Sequence, residues 1–322
     1  MRAALLAALL LLAPLPAAAQ DAIALRSSAL TLNPEDKAET TVGRLRWRGG
    51  FEVASEAAGF GGLSDLELAA DGRSLLAVSD GGRWLSALLT YDAAGNLAGM
   101  AQARLGPLHD TAGRQLPVSI KRRQDAEALT SLPDGSLLIA FERQHRIERF
   151  VGGLDAIPEA FPAPPGLAAA PVNAGIEALV TLADGRLLAF TEGQKVGEAF
   201  AVYLREADGA WRDLALQPSG LFRPTGAALL PSGDVLLLER RFTLLGGLGA
   251  RISRIALADI RPGAMLVGEE IAELRPPLTL DNFEGVAVHL APDGTTRITL
   301  LSDDNFNILQ RSLVVQFELL EK

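Results

Sequence analysis

The chain has 322 residues, of which 48% are hydrophobic and 21% charged, an ordinary globular composition with enough material for a large core. It contains no cysteine, which excludes disulfides, thiolate metal sites and cysteine nucleophiles. A formal net charge of −9 disfavours nonspecific nucleic-acid binding, and it is compatible with cation binding or with simple solubility.

The first segment reads "MRAALLAALLLLAPLPAAAQ". Arg2 precedes an apolar run from Ala3 to Leu12, and Ala17, Ala18 and Ala19 supply a small-residue cleavage site. This pattern predicts a cleaved secretory signal over residues 1–20 and a periplasmic or secreted product starting near Gln20 or Asp21. A membrane anchor is the alternative. Pro14 and Pro16 interrupt the run, which is short for a span, so no membrane span is expected. The absence of cysteine excludes a lipoprotein, and the lone arginine argues against twin-arginine export. Residues 21–42 are read as an N-terminal extension, and residues 43–322 as one all-β domain.

Strand-like runs then recur. "GRLRWRGGFEVA" starts at Gly43. Five hairpin-like segments follow, beginning at Leu63, Ala126, Ile176, Thr225 and Phe283, each an alternating apolar run, a glycine-containing turn and a second apolar run. Their turn glycines are Gly72, Gly135, Gly185, Gly233 and Gly294, spaced 48 to 63 residues apart, the scale of propeller blades. Further runs such as "SALLTYD", "FAVYLREADGAWRDLAL" and "ARISRIAL" supply about four strands per unit. The expected fold is therefore a β-propeller of five blades, with six blades or a β-sandwich as alternatives. The strand at Gly43 is expected to lie beside the C-terminal "SLVVQFELL" and close the ring. The Pro- and Ala-rich stretch after Gly152 reads as an irregular surface excursion.

If each turn is a two-residue Asp-Gly hairpin, Glu127 opposes Glu142, Glu177 opposes Glu192, and Glu284 opposes Asp303. Gly226 and Glu239 hold the same relation in the fourth unit, and Ser64 and Ser79 hold it in the first, with Asp65 and Asp80 adjacent. Like charges facing across a sheet are destabilising. Acids at one level of every blade would gather at the channel mouth, where they need cations to offset their repulsion. One solution is Ca²⁺, which takes carboxylate and carbonyl oxygens. The metal ligands expected are Glu127, Glu177, Glu284, Glu142, Glu192 and Asp303, with Asp304 and Asn305 from "LSDDNFN", a stretch that reads equally well as an Asx-rich turn. The other solution is structural pairing with Arg122, Arg123, Arg143, Arg146, Arg223, Arg240 or Arg241. Of the three histidines, His145 at the same rim is the best acid–base candidate, and His289 reads as structural. No GxSxG elbow, Walker loop, HExxH or dinucleotide fingerprint occurs.

Together "GRLRWRGGFEV", "FGGLSDLEL", "DAEAL", "GIEAL", "RPTGAALLPSGDVLLLERRF" and "NFEGVAV…LLSDDNFN" resemble the phytase-like, or "esterase-like activity of phytase", family of exported bacterial proteins, over roughly residues 43–320. The resemblance implies a β-propeller with phosphoester or ester hydrolase activity. β-Propeller phytases, from which that family label derives, use Ca²⁺ sites on one propeller face. The expected function is thus a Ca²⁺-dependent hydrolase of a small anionic or ester substrate, acting as a monomer. Glu127, Glu177 and Glu284 would serve as ligands or general bases, with Arg143, Arg223, Arg240 and Arg241 binding the substrate. The alternatives are a noncatalytic ligand- or protein-binding propeller and a lactonase-like hydrolase.

Overall fold

A computed structural model describes residues 21–117, 121–243 and 246–320. The expected export signal, residues 1–20, lies outside them. The described residues are all-β, with helix among them confined to Lys121–Gln124 and two short 3₁₀ turns.

Five strands occupy equivalent inner positions: Leu63–Leu68, Ala126–Ser131, Ile176–Thr181, Arg223–Leu229 and Phe283–Leu290. Each begins an antiparallel meander that runs outward. The inner strands also pack side by side in sequence order, and Phe283–Leu290 packs against Leu63–Leu68. The arrangement is propeller-like. The N-terminal strand Leu45–Ala54 pairs antiparallel with the C-terminal strand Leu313–Leu319, for example Val314 with Phe51. The Pro- and Ala-rich stretch is less irregular than its composition indicates. It contributes Glu159–Phe161, which pairs with Arg146–Phe150 as the outer strand of the second sheet.

The inner and second strands read as near-continuous apolar runs because both faces of each sheet are covered. Five apolar wedges fill the gaps between consecutive sheets. Leu138 and Ala140 meet Leu187 and Ala189 between the second and third. Ala287, Leu301 and Val314 meet Leu75, Ala77 and Leu85 between the last and the first. Each fully buried leucine or phenylalanine contributes about 1.5–3 kcal/mol.

The hairpin turns differ from the two-residue expectation. In the second unit the Leu132 N–H donates to Ser136 O, and Gly135 N–H donates to Leu132 O, which encloses three residues. Gly135 adopts φ +81°, as a type I turn followed by a left-handed residue demands. The third, fourth and fifth units use the same construction, closed by Leu182–Arg186, Leu230–Asp234 and Ala291–Thr295. The extra residue shifts each ladder by one. Glu127 and Glu142 are therefore not direct partners, and neither are Glu177 and Glu192 or Glu284 and Asp303.

Candidate functional site

The acids converge because each inner strand carries a β-bulge near its start. In the second unit Ala128 pairs with Ala140 and Ala126 with Phe141, leaving Glu127 unpaired between them. Glu177 is skipped in the same way, between Ile176 and Ala178. The bulged residue is Glu284 in the fifth unit, Ser64 in the first and Thr225 in the fourth. A bulge re-aims the side chain of its extra residue, and here it occurs at one level in all five units.

On the second strand, the residue that follows the pair flanking the bulge is the companion position, and in the fourth unit it is itself paired, with Arg223. It is Asp80 after Ser79, Glu142 after Phe141, Glu192 after Thr191, Arg240 after Glu239, and Asp303 after Ser302. Two expectations are corrected here. The first unit contributes Asp80, not Ser79. The fourth contributes Arg240, because Glu239 is buried elsewhere, accepting hydrogen bonds from Arg251 Nη1 at 2.8 Å and Ser253 Oγ at 3.1 Å.

Asp125, Glu127 and Glu142 present carboxylate oxygens that all lie within 4.8 Å of one another, a grouping able to hold a metal ion. Asp125 is 1% exposed, and its Oδ1 has no hydrogen-bond partner among the described residues. Burial pushes the Glu127 carboxyl well up, and the charges of Glu177, Glu284, Asp125 and Glu142 push it further. Glu177 is also raised well above the carboxylate range, first by burial and then by Glu192 and Glu142. A hydrogen bond joins Glu142 to Glu177, and the Gly175 N–H donates to Glu142 Oε1 at 3.0 Å. Asp303 is raised by burial and by the charges of Glu284 and Asp80. Glu127, Glu142, Glu177 and Asp303 thus favour the protonated form more than free carboxyls do, and a cation among them would oppose that.

Basic groups already serve part of this need. Lys121 Nζ lies 2.7 Å from Asp80 Oδ2 and 3.7 Å from Asp125 Oδ1. Arg143, in a left-handed conformation at φ +59°, pairs with Asp125. Arg240 reaches Glu284 at 3.4 Å and Glu192 at 3.8 Å, and it donates to Asn282 Oδ1 at 2.9 Å. Arg223 lies 3.3 Å from Glu192, with its side chain 58% exposed. Among the described residues Glu127, Glu142, Glu177 and Asp303 make no ion pair with a basic side chain, whereas Asp125 pairs with Arg143 and lies 3.7 Å from Lys121.

The remaining sequence candidates divide. Arg241 turns away from the mouth to Glu273, 3.4 Å distant, and lies over the Phe222 ring. Asp304 is engaged in loop structure. It accepts from the Gly62 and Phe306 N–H groups and from Ser312 Oγ, at 2.8, 3.0 and 2.9 Å. The Asn305 N–H donates to Asp303 Oδ1 at 2.6 Å, and its side chain is exposed. The His145 ring lies at the rim with Nε2 3.0 Å from Pro171 O, near Gly175 and Glu142. Asp80, Asp125 and Lys121 were not among the sequence candidates.

A family model described as "Phytase-like: Esterase-like activity of phytase" matches residues 58–306. No curated protein sequence matches. Among solved structures, a catalytically inactive virginiamycin B lyase from Staphylococcus aureus with quinupristin is similar at 14% identity and TM-score 0.45, covering 92% of this chain and 100% of that one. A gluconolactonase from Xanthomonas campestris is similar at 11% identity and TM-score 0.43, covering 94% and 99%. YCF48 bound to a D1 peptide is similar at 13% identity and TM-score 0.37, covering 81% and 66%.

Proposed function

Because the chain belongs to the phytase-like family, in which esterase-like activity is the named property, we propose that it is a hydrolase of phosphoesters or related esters working at the carboxylate mouth. The observation that carries this reading is the cluster of Asp125, Glu127 and Glu142, three oxygen donors within 4.8 Å of which Glu127 and Glu142 make no ion pair among the described residues. Hard carboxylate oxygens suit Ca²⁺, and the unpartnered buried Oδ1 of Asp125 fits a ligand role. Asp125, Glu127 and Glu142 would hold the ion. Glu192, Glu284 and Asp303 would complete the negative field around it. When bound, Ca²⁺ supplies charge neutralisation and polarisation of a coordinated oxygen. Arg223, exposed at the rim, and Arg240 beside it orient the anionic group of the substrate. Glu177, which holds its proton because of burial and neighbouring acids, exchanges that proton with water or the leaving group. His145, held by the Pro171 carbonyl, is a second proton carrier at the same rim.

The same reading takes the five units as the blades of a propeller closed by the Leu45–Ala54 strand. It takes residues 1–20 as a cleaved export signal, so that the mature protein works outside the cytoplasm as a monomer on a small substrate.

One observation favours a second reading. Lys121, Arg143, Arg223 and Arg240 each already pair with an acid of the mouth. A noncatalytic propeller that binds a ligand at this face would need no metal. An assay of chromogenic phosphate and carboxylate esters, with Ca²⁺ and then with chelator, separates the two. The hydrolase reading predicts turnover that chelator abolishes and that Glu177→Gln lowers by about 100-fold or more. No turnover of either ester class with Ca²⁺ present would favour the binding reading.

A further inference from the structure

A second polar site lies on the opposite face. The hairpin turns of the first and fifth sheets bound a cavity of about 340 Å³, lined by Arg48, Tyr91, His289, Arg297 and Gln316 among others. Arg297 is 3% exposed and Gln316 is 1% exposed. Most wedge positions between sheets are apolar, so this polar strip carries an unusual desolvation cost. Much of its hydrogen-bonding capacity goes unused. Arg297 Nε and Nη1, Arg48 Nε, His289 Nδ1 and Gln316 Oε1 make no hydrogen bond among the described residues.

Nearby acids do not absorb these donors. Asp71 accepts from the N–H groups of Arg73 and Ser74 and from Ser74 Oγ within its own turn. Asp293 is held by Thr295 and takes only Arg297 Nη2, at 2.9 Å. Glu318 is claimed by Arg46 at 3.0 Å. It remains 3.9 Å from Arg297 Nη1 and 4.0 Å from Arg48 Nε, beyond hydrogen-bond reach. The framework itself is fixed: the Tyr91 hydroxyl donates to Gly72 O at 2.6 Å, and Gln316 Nε2 donates to Tyr91 Oη and Thr299 Oγ1. Ala94, Ala291, Pro292 and the Tyr91 ring add apolar lining.

We propose that this cavity binds a small organic anion, with an apolar body against Tyr91 and Pro292 and one carboxylate or phosphate head on Arg48 and Arg297. Guanidinium donors suit a planar oxyanion. The site is independent of the carboxylate mouth and does not depend on how that mouth functions.

Isothermal titration of the chelator-treated protein with benzoate, and separately with phenyl phosphate, at constant ionic strength tests it. The expected result is saturable one-to-one binding of at least one probe, and the better probe identifies the head group. Arg48→Met should weaken that binding about tenfold or more, and Glu177→Gln at the distant mouth should leave it unchanged. Arg48 is chosen because it lies nearer the surface than Arg297, so its replacement spares the packing. Failure of both probes to bind the parent protein would overturn the proposal and leave a water-filled cavity only. So would binding undiminished in Arg48→Met, or lost in Glu177→Gln.

Discussion

Glu239 and Arg240 are adjacent yet serve opposite environments. Glu239 points into a sheet and is 1% exposed against Arg251, whereas Arg240 points to the mouth and offsets Glu284 and Glu192. Breaking a buried pair leaves an uncompensated charge, which costs about 3–5 kcal/mol. Glu239→Gln should therefore lower stability to urea by that order while sparing any metal response. Glu67, near the turn end of the strand Leu63–Leu68, makes a separate prediction. Burial pushes its carboxyl up to about 7, against the hydrogen bond it accepts from Ser131 N–H. Between an unfolded value of about 4.5 and this folded value, the native state holds a proton that the unfolded chain has released. Stability from this group is thus present below that window and lost as pH rises through it. Urea midpoints at pH 5 and pH 8 should differ less in Glu67→Gln than in the parent.

At the scale of the element, the inner strands solve an edge problem. Their free edges carry unpaired backbone groups, and side chains of the neighbouring unit satisfy some of them. Asp65 accepts from the Leu129 N–H at 2.8 Å and from its neighbour Leu66, and Glu67 accepts from Ser131. Asp65→Ala should cost about 2 kcal/mol or more, since it strands buried N–H donors. Chemical denaturation would measure the loss. These elements also show how far the residues alone could be read. The five hairpins, and the acids at Glu127, Glu142, Glu177, Glu192, Glu284 and Asp303, were legible from the recurrent Gly turn and the apolar alternation. The register was not. A two-residue and a three-residue turn share the same Gly signal, and the difference moves every pairing by one. Nor does a bulge have a composition of its own: Ser64 and Thr225 occupy the same bulged position as the three glutamates. Asp125 and Lys121 precede the second inner strand, where no repeat pattern reaches them.

For the whole molecule, stability and site follow from one arrangement. Each sheet is held between two apolar wedges, so no unit has a complete core alone. Packing the five inner strands side by side brings their five bulges to one level. The resulting crowd of carboxylates is raised by burial and mutual repulsion, which a core without function has no need to tolerate. An ion bound only by the native state would stabilise it by mass action. The most direct test is calorimetric titration of Ca²⁺ into chelator-stripped protein, repeated with Glu127→Gln. The account predicts saturable binding accompanied by a rise in melting temperature, with both effects sharply reduced in the variant. Absence of binding heat, no change in melting temperature on chelation, and no metal in the purified protein would contradict it and leave the mouth to the side-chain cations Lys121, Arg143, Arg223 and Arg240.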